Sequence, residues 1–125
     1  MAANFQVIKK ILERKPFAPG ATIFREGDIA TNAYVLLRGD VQISTTNAQG
    51  KTIILTEIKV GQIFGELALV RPDAGRTATA TTVQGCEVMV LSFKTLQEKL
   101  DAADPILRFW IQYLSERVID LSKRV

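Results

Sequence analysis

Apolar and polar positions recur with two different periods along this chain. Phe5, Ile8, Ile11 and Leu12 fall three and four residues apart, which predicts a short amphipathic helix over residues 4–14 of an N-terminal segment 1–15. Pro16 and Pro19-Gly20 end it. The period then shortens to two, in segments broken by turn residues. Thr22-Ile23-Phe24, Ala33 to Leu37, Val41 to Thr45, Thr52 to Ile58 and Glu87 to Leu91 read as strands. Glu26-Gly27-Asp28, Arg38-Gly39-Asp40, Asn47-Ala48-Gln49-Gly50, Val60-Gly61-Gln62 and Gly85 read as the turns between them. Thr77, Thr79 and Thr81 alternate with Ala78 and Ala80 in a further β-prone run. Many short strands at this spacing predict an antiparallel β-roll, jelly roll or barrel over residues 16–92.

Helical spacing returns at the C-terminal end, over residues 93–125. Ser92 is placed to cap a helix from Phe93 to Leu100. Asp104-Pro105 is a cap followed by a proline suited to the first helical position, so a long helix should run from 105 onward. On it Leu107, Ile111, Leu114, Val118, Leu121 and Val125 keep the 4-3-4-3-4 spacing of a coiled-coil seam. Phe109, Trp110 and Tyr113 occupy neighbouring faces. Two apolar faces predict two partners: the roll for one face, and a second copy of the chain for the seam.

At 125 residues and 13.8 kDa the chain is long enough for one domain, 1–125, and too short for two. No apolar run approaches the roughly 20 residues of a bilayer span and no signal peptide opens the chain, which predicts a cytoplasmic location. Cys86 is the only cysteine, so no internal disulfide forms. There is no histidine, hence neither the commonest metal ligand nor the commonest acid–base catalyst. The expectation is a protein that is not an enzyme and holds no metal. The formal charge of +3 is spread thinly and lacks a nucleic-acid-binding pattern, so no direct nucleic-acid partner is expected.

One stretch breaks the strand pattern: Phe64 to Ala80, FGELALVRPDAGRTATA. Gly65 permits close backbone approach, Glu66 through Val70 would form about one and a half turns of helix, and Pro72 ends it. The start of such a helix offers unpaired N–H groups to an anion. Arg76 brings a planar, permanently charged fork suited to phosphate, and Thr77 adds a small donor beside it. Glu66 would accept a sugar hydroxyl. Together these groups suit one phosphate and one ribose, the shared portion of a cyclic nucleotide. Read singly, Glu66 and Arg76 are ordinary surface charges and GELAL an ordinary amphipathic turn.

Three blocks taken together resemble the cyclic nucleotide-binding domain family, which includes the bacterial catabolite activator, the regulatory subunits of cAMP-dependent kinase and nucleotide-gated channels. They are PFAPGATIFREGDIATNAYVLLRGDVQI (16–43), GQIFGELAL (61–69) and GRTATA (75–80). The resemblance implies that residues 64–80 are a phosphate-binding cassette. By that likeness Arg76 would hold the exocyclic phosphate oxygens and Glu66 the ribose 2′-hydroxyl. Backbone N–H groups near Gly65, Leu67 and Ala68 would complete the cradle, and Ile43 and Leu55 would line the base. Thr77 would contact phosphate or, in a cGMP binder, the guanine amino group.

It further implies a cAMP or cGMP sensor, with no other cofactor, that signals through movement of its C-terminal helix. That helix would dimerise and would meet the base through one of Gln112, Ser115, Glu116 or Arg117. Since no DNA-binding domain, kinase or channel follows, the chain would act through a partner or be the sensing part of a longer protein. Two rivals stand beside this reading. One is a dimerisation module of the same fold that is ligand-free or binds another anion such as a cyclic dinucleotide. The other is a cupin-like enzyme, which the missing histidines oppose.

Overall fold

The period-two segments become eight strands in a computed structural model that describes residues 12–69, 71 and 75–123. In chain order they are β1 (Glu13–Phe17), β2 (Thr22–Phe24), β3 (Asn32–Gly39), β4 (Val41–Thr46), β5 (Thr52–Ile58), β6 (Ile63–Phe64), β7 (Thr79–Thr81) and β8 (Cys86–Ser92). They pair antiparallel in two four-stranded sheets, ordered β1-β8-β3-β6 and β2-β7-β4-β5. Between the sheets lie Phe24, Tyr34, Leu36, Val41, Phe64, Ala80, Cys86 and Val88, with Phe17, Ile23, Ile43, Ile58 and Val90 packed against them. Alternation along β3 and β8 supplies Tyr34, Leu36 and Val88 to this core, as a half-buried sheet requires. The expected β-roll with flanking helices is the fold observed.

Strands β3 and β5 depart from strict register. Between Leu36 and Arg38, β3 skips one residue against β8, and β5 does the same between Ile54 and Thr56 against β4. Each skip is a bulge, with an unpaired extra residue that turns the strand. The loop from β7 into β8 is held by Asp40, whose carboxylate accepts from the Val83 and Gln84 N–H groups at 2.9 and 2.8 Å and from the Thr82 hydroxyl at 3.2 Å.

The N-terminal helix expected over 4–14 needs correction where it is described. Residues 1–11, with Phe5, Ile8 and Ile11, lie outside the described residues. Glu13 and Arg14, however, belong to β1, which pairs residue by residue with β8 from Glu13↔Val90 to Phe17↔Cys86. Pro16, read as a helix stop, sits inside β1. That strand is at the edge of its sheet, where a residue without an N–H is tolerated.

Two helices follow the roll: α1 (Phe93–Asp101) and α2 (Pro105–Lys123). Ser92 caps α1, its hydroxyl accepting from the Thr95 N–H at 3.0 Å. The Phe93 N–H is tied to the Thr31 carbonyl at 2.8 Å, which fixes the helix to the sheet. Asp104 accepts from the Ile106 N–H at 2.8 Å and so caps α2, with Pro105 in the first turn. No helix among the described residues is long and apolar enough to cross a membrane.

The expectation that one apolar face of α2 lies on the roll is not met. Phe109 and Trp110 are 71% and 57% exposed, and the seam residues Leu107, Ile111, Leu114, Val118 and Leu121 are exposed as well. Val125 lies outside the described residues. The less exposed strip of α2 is Arg108, Ser115 and Ile119. Ser115 and Ile119 face α1 across a groove shared with Phe93, Leu96 and Leu100. The Ala102–Asp104 link therefore turns a mixed strip of α2 inward and leaves both apolar faces largely to solvent, Ile111 being the seam residue that also borders the groove.

Candidate functional site

Between the two sheets, at the end where β6 hands over to the cassette, a cavity of about 260 Å³ opens. Its floor comes from strand residues: Ile43 on β4, the alternate positions Thr56 and Ile58 on β5, and both residues of β6, Ile63 and Phe64. Its rim is the 3-10 helix Glu66–Leu69 and the return segment through Gly75, Arg76 and Thr77. The expected helical run is thus a tight turn of four described residues. Ala68 donates to the Gly65 carbonyl at 3.3 Å, and Arg71 to the Leu67 carbonyl at 2.8 Å. The earliest N–H groups of such a turn have no partner within it.

Gly65 is required here by both conformation and space. Its φ is +70°, and a Cβ would stand 2.7 Å from Arg76 Nη1 and 3.2 Å from the Phe24 ring. The Gly65 carbonyl accepts from Arg76 Nη1 at 3.2 Å, and the Asn32 carbonyl from Nη2 at 2.7 Å. The Arg76 backbone is held as firmly. Its N–H donates to the Asp28 carbonyl at 2.7 Å, and its carbonyl accepts from the Gly27 N–H at 2.8 Å. The turn Glu26-Gly27-Asp28 is fastened to the sheet in turn: the Glu26 N–H donates to the Thr79 hydroxyl, and the Glu26 carboxylate accepts from the Thr45 hydroxyl.

Arg76 is half-buried, and its Nε is shielded from solvent with no hydrogen-bond acceptor. Burial pushes the guanidinium pKa below its ordinary value, while Tyr34 and Asp28 oppose that shift. The group remains a cation at any pH of interest. A half-buried cation with a shielded, unanswered donor, in the wall of a cavity, suits an incoming anion.

The structure brings Gly65, Glu66, Leu67, Ala68, Arg76, Thr77 and Ile43 to this one cavity. Leu55 is the exception. It is the extra residue of the β5 bulge, since Ile43 pairs with Thr56 and Ser44 with Ile54, and it is 56% exposed. Thr56 and Ile58 take the lining positions instead. The β-prone run after Arg76 also starts later than expected, β7 comprising only Thr79–Thr81. The sequence reading missed Phe24, Thr56, Ile58 and Arg71 as lining residues. Counting alternate positions back from Ile58 would have found Thr56, but nothing local marks the bulge. Gln112, Ser115 and Glu116 line the α1–α2 groove rather than this cavity, and Arg117 lies against Tyr113.

A two-sheet antiparallel roll, interrupted by a glycine-started turn and an inward arginine that together face an apolar-floored cavity, is a binding domain for a small anionic ligand. The chain belongs to the cyclic nucleotide-binding domain family, whose sequence model matches residues 14–103. It is 32% identical over 105 residues to the cAMP-activated global transcriptional regulator CRP of Haemophilus influenzae, covering 84% of this chain and 47% of that protein. Among solved structures it is similar to the half-site-occupied form of the EAL enzyme Bd1971, with a TM-score of 0.78 and 25% identity over 89% of this chain and 98% of that one. It is similar also to cAMP-bound PfPKA-R, with a TM-score of 0.68 and 32% identity over 77% of this chain and 34% of that one. The chain spans about half the length of the curated relatives it matches.

Proposed function

We propose that this chain is a cyclic nucleotide sensor that binds cAMP or cGMP in the cavity beside the 3-10 helix and passes the event on through movement of its C-terminal helix. The observation that carries the reading is Arg76: a half-buried cation in the cavity wall, fixed at both backbone groups and two side-chain nitrogens, with Nε lacking an acceptor. In this reading Arg76 takes the exocyclic phosphate. Gly65, Leu67 and Ala68 line the phosphate with backbone, and Thr77 offers a hydroxyl to phosphate or guanine. Ile43, with Thr56 and Ile58, meets the base. The relatives support the ligand class, since one is a cAMP-activated regulator and another was solved bound to cAMP. The EAL enzyme has cAMP-bound and cGMP-bound forms.

Glu66 is assigned to the ribose 2′-hydroxyl, and 2′-deoxy-cAMP tests this directly. A hydrogen bond to a charged acceptor contributes about 1.5–3 kcal/mol, so Glu66→Ala should weaken cAMP binding by that order. Wild type should lose a similar amount on removal of the 2′-hydroxyl, and the variant almost none. An undiminished 2′-deoxy penalty in Glu66→Ala would show that the hydroxyl is read elsewhere.

The exposed seam on α2 supports a second element of the proposal, a homodimer formed through Leu107, Ile111, Leu114, Val118 and Leu121. Sedimentation equilibrium should find a dimer for wild type and a monomer for Leu114→Glu. Leu114 is 44% exposed in the single chain, so the variant should melt like a folded protein. A monomeric wild type at high concentration would remove the seam from the mechanism. Ligand would shift the helices between two conformers by its preference for one of them.

A further inference from the structure

Phe24 lies on β2, about forty residues before the cassette, yet its ring carries the cassette arginine. Arg76 Cζ sits 4.0 Å from the Phe24 ring centroid and 5.8 Å from that of Tyr34. Phe24 is itself locked from behind. Its centroid is 6.0 Å from the Tyr34 ring, stacked at 23°, and 6.2 Å from Phe64, while Tyr34 and Phe64 stand 5.5 Å apart. All three rings are buried. Phe24 pairs across the sheet with Ala80, whose small side chain gives it no competitor for this space.

Gly65 closes the edge of this contact, where an added Cβ would touch both Arg76 Nη1 and the Phe24 ring. The cation therefore rests on an aromatic base with glycine backbone at its edge. All five N–H groups of a guanidinium lie in one plane. The Gly65 and Asn32 carbonyls fix how the group is turned within that plane, and the ring fixes the plane itself. What remains unanswered, Nε included, is held in a set direction.

We propose that Phe24 is a positioning residue for the ligand phosphate: its ring sets the plane in which Arg76 offers its remaining N–H groups, and so decides which exocyclic oxygen the arginine meets. This rests on the reading of Arg76 as the phosphate-binding group. It deepens that reading by tracing the stereochemical preference to a side chain outside the cassette. A leucine at position 24 would fill much of the space but offer no flat face, leaving the guanidinium free to tilt.

The test uses the two phosphorothioate isomers of cAMP, in which sulfur replaces one or the other exocyclic oxygen. Sulfur accepts hydrogen bonds poorly, so wild type should favour one isomer by about tenfold or more. Phe24→Leu should bind cAMP about three- to tenfold more weakly and bring the isomer ratio close to one, while Phe24→Tyr keeps the wild-type ratio. A wild-type ratio retained in folded Phe24→Leu overturns the proposal even if overall affinity falls, because a merely structural role weakens both isomers alike. Absence of cAMP binding by wild type would instead overturn the underlying phosphate reading. Should the leucine variant fail to fold, NMR on ligand-free wild type, where Nε has no acceptor, decides. The Arg76 Nε–H proton, assigned by its loss in Arg76→Lys, should be moved upfield by the ring, and an ordinary position contradicts the proposal.

Discussion

Arg76→Ala is expected to bind cyclic nucleotide about 2–5 kcal/mol more weakly than wild type, since it leaves a buried ligand phosphate unpaired. That corresponds to roughly thirty- to several-thousand-fold in affinity. The size follows from how thoroughly the fold commits this side chain. Its backbone is clamped to the Gly27-Asp28 turn, two nitrogens are tied to the Gly65 and Asn32 carbonyls, and its face rests on Phe24. Little ordering remains to be done when the anion arrives. Arg76→Lys keeps the charge but not the planar fork, and should fall between alanine and wild type. Calorimetry measures the loss, with a circular-dichroism melt to show that the variant is folded. A folded Arg76→Ala with wild-type affinity would place the phosphate elsewhere.

The largest expected effect on stability belongs to Gly39, far from the ligand cavity. Gly39 closes β3 opposite Cys86 with φ at +89°, beside the bulge that precedes it. A Cβ there would overlap the Gly85 carbonyl oxygen and stand 2.7 Å from Cys86 Cα. The backbone conformation alone costs a non-glycine residue about 1–3 kcal/mol, and the overlap adds to it because the obstructing atoms are main chain. Gly39→Ala should therefore lower the urea midpoint by more than a matching change at Gly50. Gly50 has φ at +80° in the β4–β5 loop but meets nothing within 4 Å. Equal shifts at the two positions would mean that the sheet yields at Gly39 without cost.

These two residues also mark what the sequence discloses. The glycine turns, the alternation of β3 and β4, the Ser92 and Asp104 caps and the Gly65–Arg76 spacing are local signals. They place the roll correctly and mark the turn that interrupts it. What stayed hidden depends on partners distant in the chain. Glu13–Phe17 becomes a strand because β8, some seventy residues later, offers an edge to pair with. Leu55 leaves the cavity because of a one-residue bulge that no composition announces. Phe24 reads as one more core aromatic until the fold brings Arg76 over its ring. The direction of α2 is set by the Ala102–Asp104 link, so its apolar faces predict partners but not which of them the single chain supplies.

A common physical thread joins site and scaffold. The cassette has too few residues to hold an arginine against its own entropy, so the roll supplies the restraint from β2, β3 and the turn between them. Ligand affinity in this protein should therefore respond to substitutions in residues 24–32 as well as in 64–80. Loss of the Glu26 link to Thr45 or Thr79 would loosen the same clamp.

The most direct test of the sensor reading is a calorimetric titration of the wild-type chain with cAMP and with cGMP in one buffer. Saturable binding, micromolar or tighter, is expected for at least one of the two, with the ratio between them reporting whether Thr77 reads guanine. A folded protein that releases no heat and shows no binding with either nucleotide would contradict that reading.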